Sequence, residues 1–295
     1  MRLADCFPNG PPATADTRLR CFDWAGHGIA IPYVIFTTGR CGSTLLTHLL
    51  GDTGLCGWPD EYFNEKCLLP LCEAWEIFNF PDYFAAIVDR SATNRRFGFE
   101  IDPFRFEQLH QMAAFGEVFP AREAVFFWMT RRDIVGQAWS YAKAKKGGVW
   151  HLYADGGEAR TDAPEAAIGP RARIDDGEWW RELLLLLRGE RIVEAYFAEA
   201  GITPYRLDYE MLVTDKYRVV TRVLQALRCA PDEIERQLTG LSEKTLRQEY
   251  DDWRPAVIGF CDRYRDELRQ IERSRHLIDP ETLRRDLIAN HGLAL

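Results

Sequence analysis

Short apolar runs separated by longer helical patterns set the rhythm of this chain. Ile31 to Phe36 is apolar and aromatic throughout, and Ala124 to Thr130 is apolar almost throughout. Thr203 to Tyr209 is a third, weaker run, and Arg96 to Ile101 reads as one more short strand. Runs this short, without strict alternation, suit parallel strands covered on both faces. Between them, Leu45 to Leu50 reads as a helix ending near Gly51. Residues 71–90 are helical with a break near Phe80-Pro81, and residues 104–116 form the next helix. A helix carrying Ile134, Val135, Ala138, Trp139 and Tyr141 follows the second strong run. Trp179 to Ala200, closed by Gly201, and Met211 to Leu227 are also helical. From Asp232 the chain is charged and helical to its end, with an interruption around Tyr250 to Pro255. Strands alternating with helices predict an α/β fold built on a parallel sheet.

Two stretches lack such periodicity. Residues 1–28 contain Asn9-Gly10-Pro11-Pro12 and read as a loosely structured arm. Residues from about 147 to 178 are rich in Gly, Pro, Asp and Ala, and a loop of that length inside a domain is a lid, a binding loop or disordered. The remainder, 29–295, reads as one domain.

The junction after the first strand carries the strongest chemical signal. Thr38-Gly39-Arg40-Cys41-Gly42-Ser43-Thr44 joins that strand to a helix. Loop N–H groups and the positive end of the helix dipole then face one space, which suits an anion. Arg40 and the hydroxyls of Thr37, Thr38, Ser43 and Thr44 add donors. A nucleoside-triphosphate loop needs a lysine after its glycine, and none is present. The second strong strand also ends in Arg131-Arg132 where an aspartate would help hold magnesium. Those arginines, with Ser140 in the helix beyond, stand at a strand's carboxyl end, where open α/β sheets bind ligands. Guanidinium groups grip phosphate through several donors at once.

Composition narrows the partners. The formal net charge of -8 argues against a general nucleic-acid surface. The eight cysteines form no C-x-x-C pair and read as reduced thiols of a cytoplasmic protein. The N-terminal thirty residues show no signal peptide, and no apolar run is long enough to span a bilayer. A homodimer is compatible with the sequence.

Together the loop and the Arg131-Arg132…Ser140 element resemble the sulfotransferase superfamily, whose donor is 3′-phosphoadenosine 5′-phosphosulfate (PAPS). Arg40-Cys41-Gly42-Ser43-Thr44-Leu45-Leu46, then Thr53-Gly54 and Pro59-Asp60-Glu61-Tyr62-Phe63, look more narrowly like the trehalose 2-sulfotransferase family. Gln137-Ala138-Trp139-Ser140 and Arg247-Gln248 ahead of Trp253 are similar too. The resemblance implies a P-loop-like three-layer fold with a central, mostly parallel sheet flanked by helices. It implies PAPS held by Thr38 to Thr44, by Arg131, Arg132 and Ser140 at the 3′-phosphate, and by Arg247, with 3′,5′-adenosine bisphosphate (PAP) as product and no metal. The superfamily spacing selects Arg132 and the narrower pattern Arg131, so both are retained. The acceptor it implies is a carbohydrate hydroxyl, on a trehalose-like sugar or a glycolipid.

Transfer to an alcohol needs a base for the hydroxyl proton. The residues alone do not rank Glu61 above Asp60, Glu100 or Asp102; the resemblance selects Glu61. Family members tend to carry a lysine where this chain has Phe99. His48 and His151 read as structural or solvent-facing. Trp150, Tyr153, Trp179 and Trp180 suit either a sugar platform or a core. Two competing readings are a small-molecule or nucleoside kinase using ATP, and a nucleotide-binding protein of the same fold without activity.

Overall fold

The computed structural model describes residues 6–7, 19, 21–147, 174–239, 241 and 253–295. In chain order the elements are β1 (Ile31–Thr37), α1 (Ser43–Thr53), α2 (Glu65–Trp75), α3 (Phe80–Ser91), β2 (Arg96–Ile101), α4 (Pro103–Met112), α5 (Phe115–Val118), β3 (Val125–Thr130) and α6 (Ile134–Gly147). There follow α7 (Asp176–Glu199), β4 (Tyr205–Asp208), α8 (Tyr209–Thr214), α9 (Lys216–Ala226), α10 (Pro231–Leu238), α11 (Trp253–Arg263), α12 (Arg265–Ser274) and α13 (Pro280–His291). The chain divides into two compact units, one of residues 1–130 and 195–242, the other of residues 131–194 and 243–295.

The first unit holds the sheet. Its four strands run parallel in the order β2-β1-β3-β4, flanked by helices. Every residue of β1 is buried, as a central parallel strand requires. In register, Tyr33 and Ile35 pair with Gly98 and Glu100 of β2 and so share one face with them. Val34 and Phe36 pair with Phe99 and Ile101 on the opposite face. The order carries a consequence for ligands. The connection leaving β1 leads to β2 on one side of it, and the connection leaving β3 leads to β4 on the other. The carboxyl ends of β1 and β3 therefore flank a topological switch point, where open α/β sheets form their binding crevice.

Aromatic rings fill this unit. Phe36 packs edge-on against Phe106, Phe115 and Phe197 at 5.0 to 6.3 Å. Phe99 lies among Phe63, Phe97 and Phe119 at 4.8 to 6.2 Å. The N-terminal segment contributes as well: Phe7, Leu19 and Trp24 are buried, and Trp24 donates its indole N–H to the Val118 carbonyl at 2.7 Å.

The second unit is helical. Its core joins Ile134, Ala138 and Trp139 of α6, the Trp179 to Leu187 stretch of α7, Phe260 and Tyr264, and apolar residues of α12 and α13.

The elements differ from the sequence expectations at their ends. The first helix stops at Gly54, which takes the left-handed conformation (φ 64°), not at Gly51. The break expected near Phe80-Pro81 lies just before that pair, at residues 76–79, and Pro81 then sits in the first turn of α3 beside the Asn79 cap. The helix expected over residues 211–227 is two, because the Asp215 side chain caps a new start at Arg218 N–H. Trp179 and Trp180 are 2% and 0% exposed and pack on Phe260, so neither is a sugar platform. Most of the long loop, with Trp150, His151 and Tyr153, lies outside the described residues, as does Arg247.

Candidate active site

The loop after β1 is shaped by two left-handed residues. Arg40 has φ 66° and Gly42 has φ 86°. Between them the Cys41 N–H reaches the Thr38 carbonyl at 3.3 Å, closing a turn. A side chain at Gly42 would meet a wall as well as strain, since a Cβ there would lie 2.7 Å from the Tyr209 ring. Gly42 is also the N-cap of α1, and it supplies no side-chain cap. The leading N–H groups of that helix consequently lack the usual side-chain acceptor, and the positive end of its dipole is left for an anion.

The loop's side chains divide by direction. Thr38 and Cys41 are buried, Gly39, Arg40 and Thr44 are half-buried, and Ser43 is buried at the first turn of α1. Cys41 therefore offers a ligand its backbone only. Burial, and secondarily the charge of Glu100, pushes its thiol up to about 12, so it stays a neutral thiol at ordinary pH. An anion of phosphate size fits this donor set, with backbone N–H groups, the dipole of α1 and the Arg40 guanidinium on one loop.

Acidic residues gather where the Pro59 turn meets β2. Glu100, in β2, is 4% exposed, and its backbone N–H donates to the Asp60 carbonyl at 3.2 Å. Burial first, then the charge of Glu61, holds its carboxyl well above the usual range, while the Ser43 hydroxyl pulls the other way. Glu61 is half-buried and also accepts from the Asn64 side-chain amide. Asn64 caps α2 through its other atom, accepting from Lys66 N–H at 3.2 Å.

The neighbouring acids have other work. Asp60 accepts from Glu61 N–H at 2.7 Å, and its carbonyl takes the Glu100 N–H at 3.2 Å, which binds the Pro59 turn to β2. Asp102 caps α4 through Phe104 and Arg105 N–H and pairs with the Arg105 guanidinium at 3.3 Å. Phe99, where the sequence pattern departs from a lysine, is a core residue with its ring turned away from the face that carries Glu100. His48 sits beside Trp58, ring centroids 5.8 Å apart.

The residues after β3 belong to the second unit. Arg131 is 8% exposed and its guanidinium reaches Asp133 at 3.4 Å, while Asp133 also accepts the Gly136 N–H at 2.8 Å. A Cβ at Gly136 would come within 2.1 Å of that carboxylate and 3.2 Å of the Arg131 guanidinium. Gly136 thus makes room for the pair at the start of α6. Arg132 is exposed, and its carbonyl accepts from Arg275 at 3.0 Å. Ser140 is buried within α6. Among the described residues no group of three His, Cys, Asp or Glu side chains is placed to hold a metal ion, and no helix is long and apolar enough to cross a membrane.

Glu100 was visible as one candidate acid, and its signal was a charge set in an otherwise apolar strand. Sequence reading missed two features. Tyr209 over Gly42 and Asp133 under Arg131 gave no linear signal, since each depends on a partner's position in space.

A family model described as Stf0 sulphotransferase matches residues 32–96 and 106–267. The trehalose 2-sulfotransferase of Mycobacterium tuberculosis (strain ATCC 35801 / TMC 107 / Erdman) is 26% identical over 276 residues, covering 80% of this chain and 95% of that protein. Among solved structures, retinol dehydratase in complex with retinol and PAP aligns over 92% of this chain and 87% of its own, at 11% identity and a TM-score of 0.43. Retinol dehydratase with androsterone and PAP aligns over 95% and 84%, at 12% identity and a TM-score of 0.43. The family match takes in the β1–α1 loop, the Glu61 turn and the Arg131 to Ser140 stretch, and the chain belongs to the Stf0 sulphotransferase family and is a sulfotransferase.

Proposed function

We propose that this sulfotransferase moves a sulfuryl group from PAPS to a carbohydrate hydroxyl, with Glu61 as the general base. The observation that supports the reading is the start of α1, which has no side-chain cap, behind a loop suited to an anion, with the Glu61 turn tied to β2 through the Asp60 carbonyl and the Glu100 N–H. PAPS supplies the sulfuryl group. The N–H groups of Thr38 to Thr44 and the Arg40 guanidinium hold the phosphosulfate, and they oppose the charge that grows on the departing phosphate. Glu61 takes the proton from the acceptor hydroxyl at a carboxylate oxygen as that hydroxyl's oxygen bonds to sulfur. The roles of Arg131, Arg132 and Ser140 at the 3′-phosphate, and of Arg247 in cofactor binding, rest on the sequence pattern. A trehalose-like acceptor is supported by the curated relative, a trehalose 2-sulfotransferase. The single-domain reading is supported by a family match that spans residues of both units, and a cytoplasmic setting by eight free cysteines.

Glu61→Gln tests the assignment. It keeps size and most hydrogen-bonding shape but cannot accept the proton. Loss of a general base costs ~100- to 10,000-fold in rate. The loss should appear in kcat and kcat/KM alike, with PAP binding by calorimetry close to the parent value. A variant that keeps most of its turnover on a good acceptor removes Glu61 from the role.

A further inference from the structure

The side chain of Arg132 is exposed, but the backbone that carries it is held by two donors. Its carbonyl accepts the Ile134 N–H at 2.9 Å and a hydrogen bond from Arg275 Nη1 at 3.0 Å. Arg275 stands at the C-terminal cap of α12, and its other two nitrogens are committed as well. Nε donates to one oxygen of the Glu190 carboxylate at 2.7 Å, and Nη2 donates to the other. Glu190 lies on α7 and is 3% exposed. The next residue of α7, Arg191, reaches the Ile278 carbonyl at 3.2 Å and the Asp279 carboxylate at 2.8 Å. Two adjacent side chains of one helix thus anchor the segment from Arg275 to Asp279.

A buried ion pair adds little net stability compared with apolar residues of the same size. What apolar residues cannot do is donate to a carbonyl. A guanidinium can grip a carboxylate with one edge and a carbonyl with its remaining nitrogen, because its donors are fixed in one plane. We propose that Glu190 and Arg275 are positioning residues for the 3′-phosphate end of the cofactor site: the pair holds the Arg132 carbonyl and so sets where the Arg131 and Arg132 side chains leave the backbone. The inference rests on the assignment of Arg131 and Arg132 to the 3′-phosphate. The charge of Arg275 is matched by Glu190 and its three nitrogens are engaged within the protein, so its part is to hold the backbone and not the phosphate. Asp133 completes the support, pairing with Arg131 at 3.4 Å and accepting the Gly136 N–H at 2.8 Å. Arginine has a long side chain whose ordering on a ligand costs entropy, and a backbone fixed beforehand reduces what remains to be ordered.

The test compares the binding of PAP and of adenosine 5′-monophosphate (AMP), which differ only in the 3′-phosphate, by calorimetry. Glu190→Met combined with Arg275→Met removes the support without changing the net charge and fills its space with apolar side chains. The double variant should bind AMP as the parent does. It should bind PAP ~10-fold or more weakly, since it loosens charge-assisted contacts worth ~10- to 100-fold. Its KM for PAPS should rise while kcat at saturating PAPS stays near the parent's. Arg275→Lys is the second variant, and it serves if the double variant does not fold. Lysine keeps a charge beside Glu190 but has no fork to hold the Arg132 carbonyl as well, so the preference for PAP over AMP should fall in the same direction. The parental preference in a folded variant of either kind overturns the inference, whatever happens to its urea midpoint. Equal losses of PAP and AMP binding overturn it too, because they mark a role in the fold alone. Arg131→Ala and Arg132→Ala separate the inference from its basis. If either lowers the preference while the support variants do not, Glu190 and Arg275 have no such role although the 3′-phosphate site is correct. If neither lowers it, the assignment of the 3′-phosphate site itself fails.

Discussion

Arg40 occupies a backbone conformation that costs a residue with a side chain ~1 to 2 kcal/mol relative to glycine. Strain of this kind persists where the surrounding structure holds it and where the side chain is needed. Glycine would relieve the strain at that position, so retention of an arginine points to its guanidinium. Substitution separates the two terms. Arg40→Gly should melt at or above the parent temperature, because the strain is released. Arg40→Ala keeps the strain and should be the less stable of the two. Both should lose ~1.5 to 3 kcal/mol in kcat/KM for PAPS, the worth of a charge-assisted hydrogen bond. Differential scanning calorimetry and steady-state kinetics check the pair. An Arg40→Gly enzyme with parental kinetics would mean that the guanidinium serves the loop's shape alone.

At the scale of elements, α7 illustrates what buries acidic side chains. Glu178 and Glu182 are neighbours at i,i+4 on this helix, and Glu190 lies two turns further along, rotated from them. Glu178 pairs with Lys146 at 2.8 Å and Glu182 with Lys145 at 2.8 Å, both partly solvated contacts of small worth. Glu190 differs. It is 3% exposed, and Arg275 grips it through two guanidinium nitrogens, with a third on the Arg132 carbonyl. Removing one partner of a buried pair strands the other charge and costs ~3 to 5 kcal/mol. Arg275→Ala should therefore lower stability to urea by about that much. Glu190→Met combined with Arg275→Met should recover most of it. An Arg275→Ala protein as stable as its parent would show that water reaches Glu190. The same helix marks the limit of sequence reading. Its apolar run from Leu183 to Leu187 announces a buried helix, and β1, β2 and β3 were placed to within a residue or so, because local periodicity carries that information. Lys145, Arg275 and the Asp215 cap became visible only when residues distant in the chain, or one cap geometry, were set in space. The two tryptophans at its start were ambiguous for the same reason, since an aromatic pair reads alike as platform or core until its neighbours are known.

For the whole molecule, strand order does more than any residue to locate the chemistry. The sequence implied alternating strands and helices but not the order β2-β1-β3-β4, which follows from long-range pairing. That order puts the β1–α1 loop beside the switch point of the sheet, and the register of β2 sets Glu100 and Phe99 on opposite faces of the sheet, both buried. The loop's lack of a phosphate-binding lysine, legible from the start, separates it from nucleotide triphosphate sites. The most direct test is turnover with defined reactants: PAPS and trehalose without added metal, the products separated and weighed by mass spectrometry, and ATP with magnesium run in parallel. The account predicts PAP and a singly sulfated disaccharide in equal amounts from the first mixture and no phosphorylated sugar from the second. Phosphoryl transfer from ATP, with neither PAP nor a sulfated sugar formed from PAPS across a series of glucosides, would contradict it.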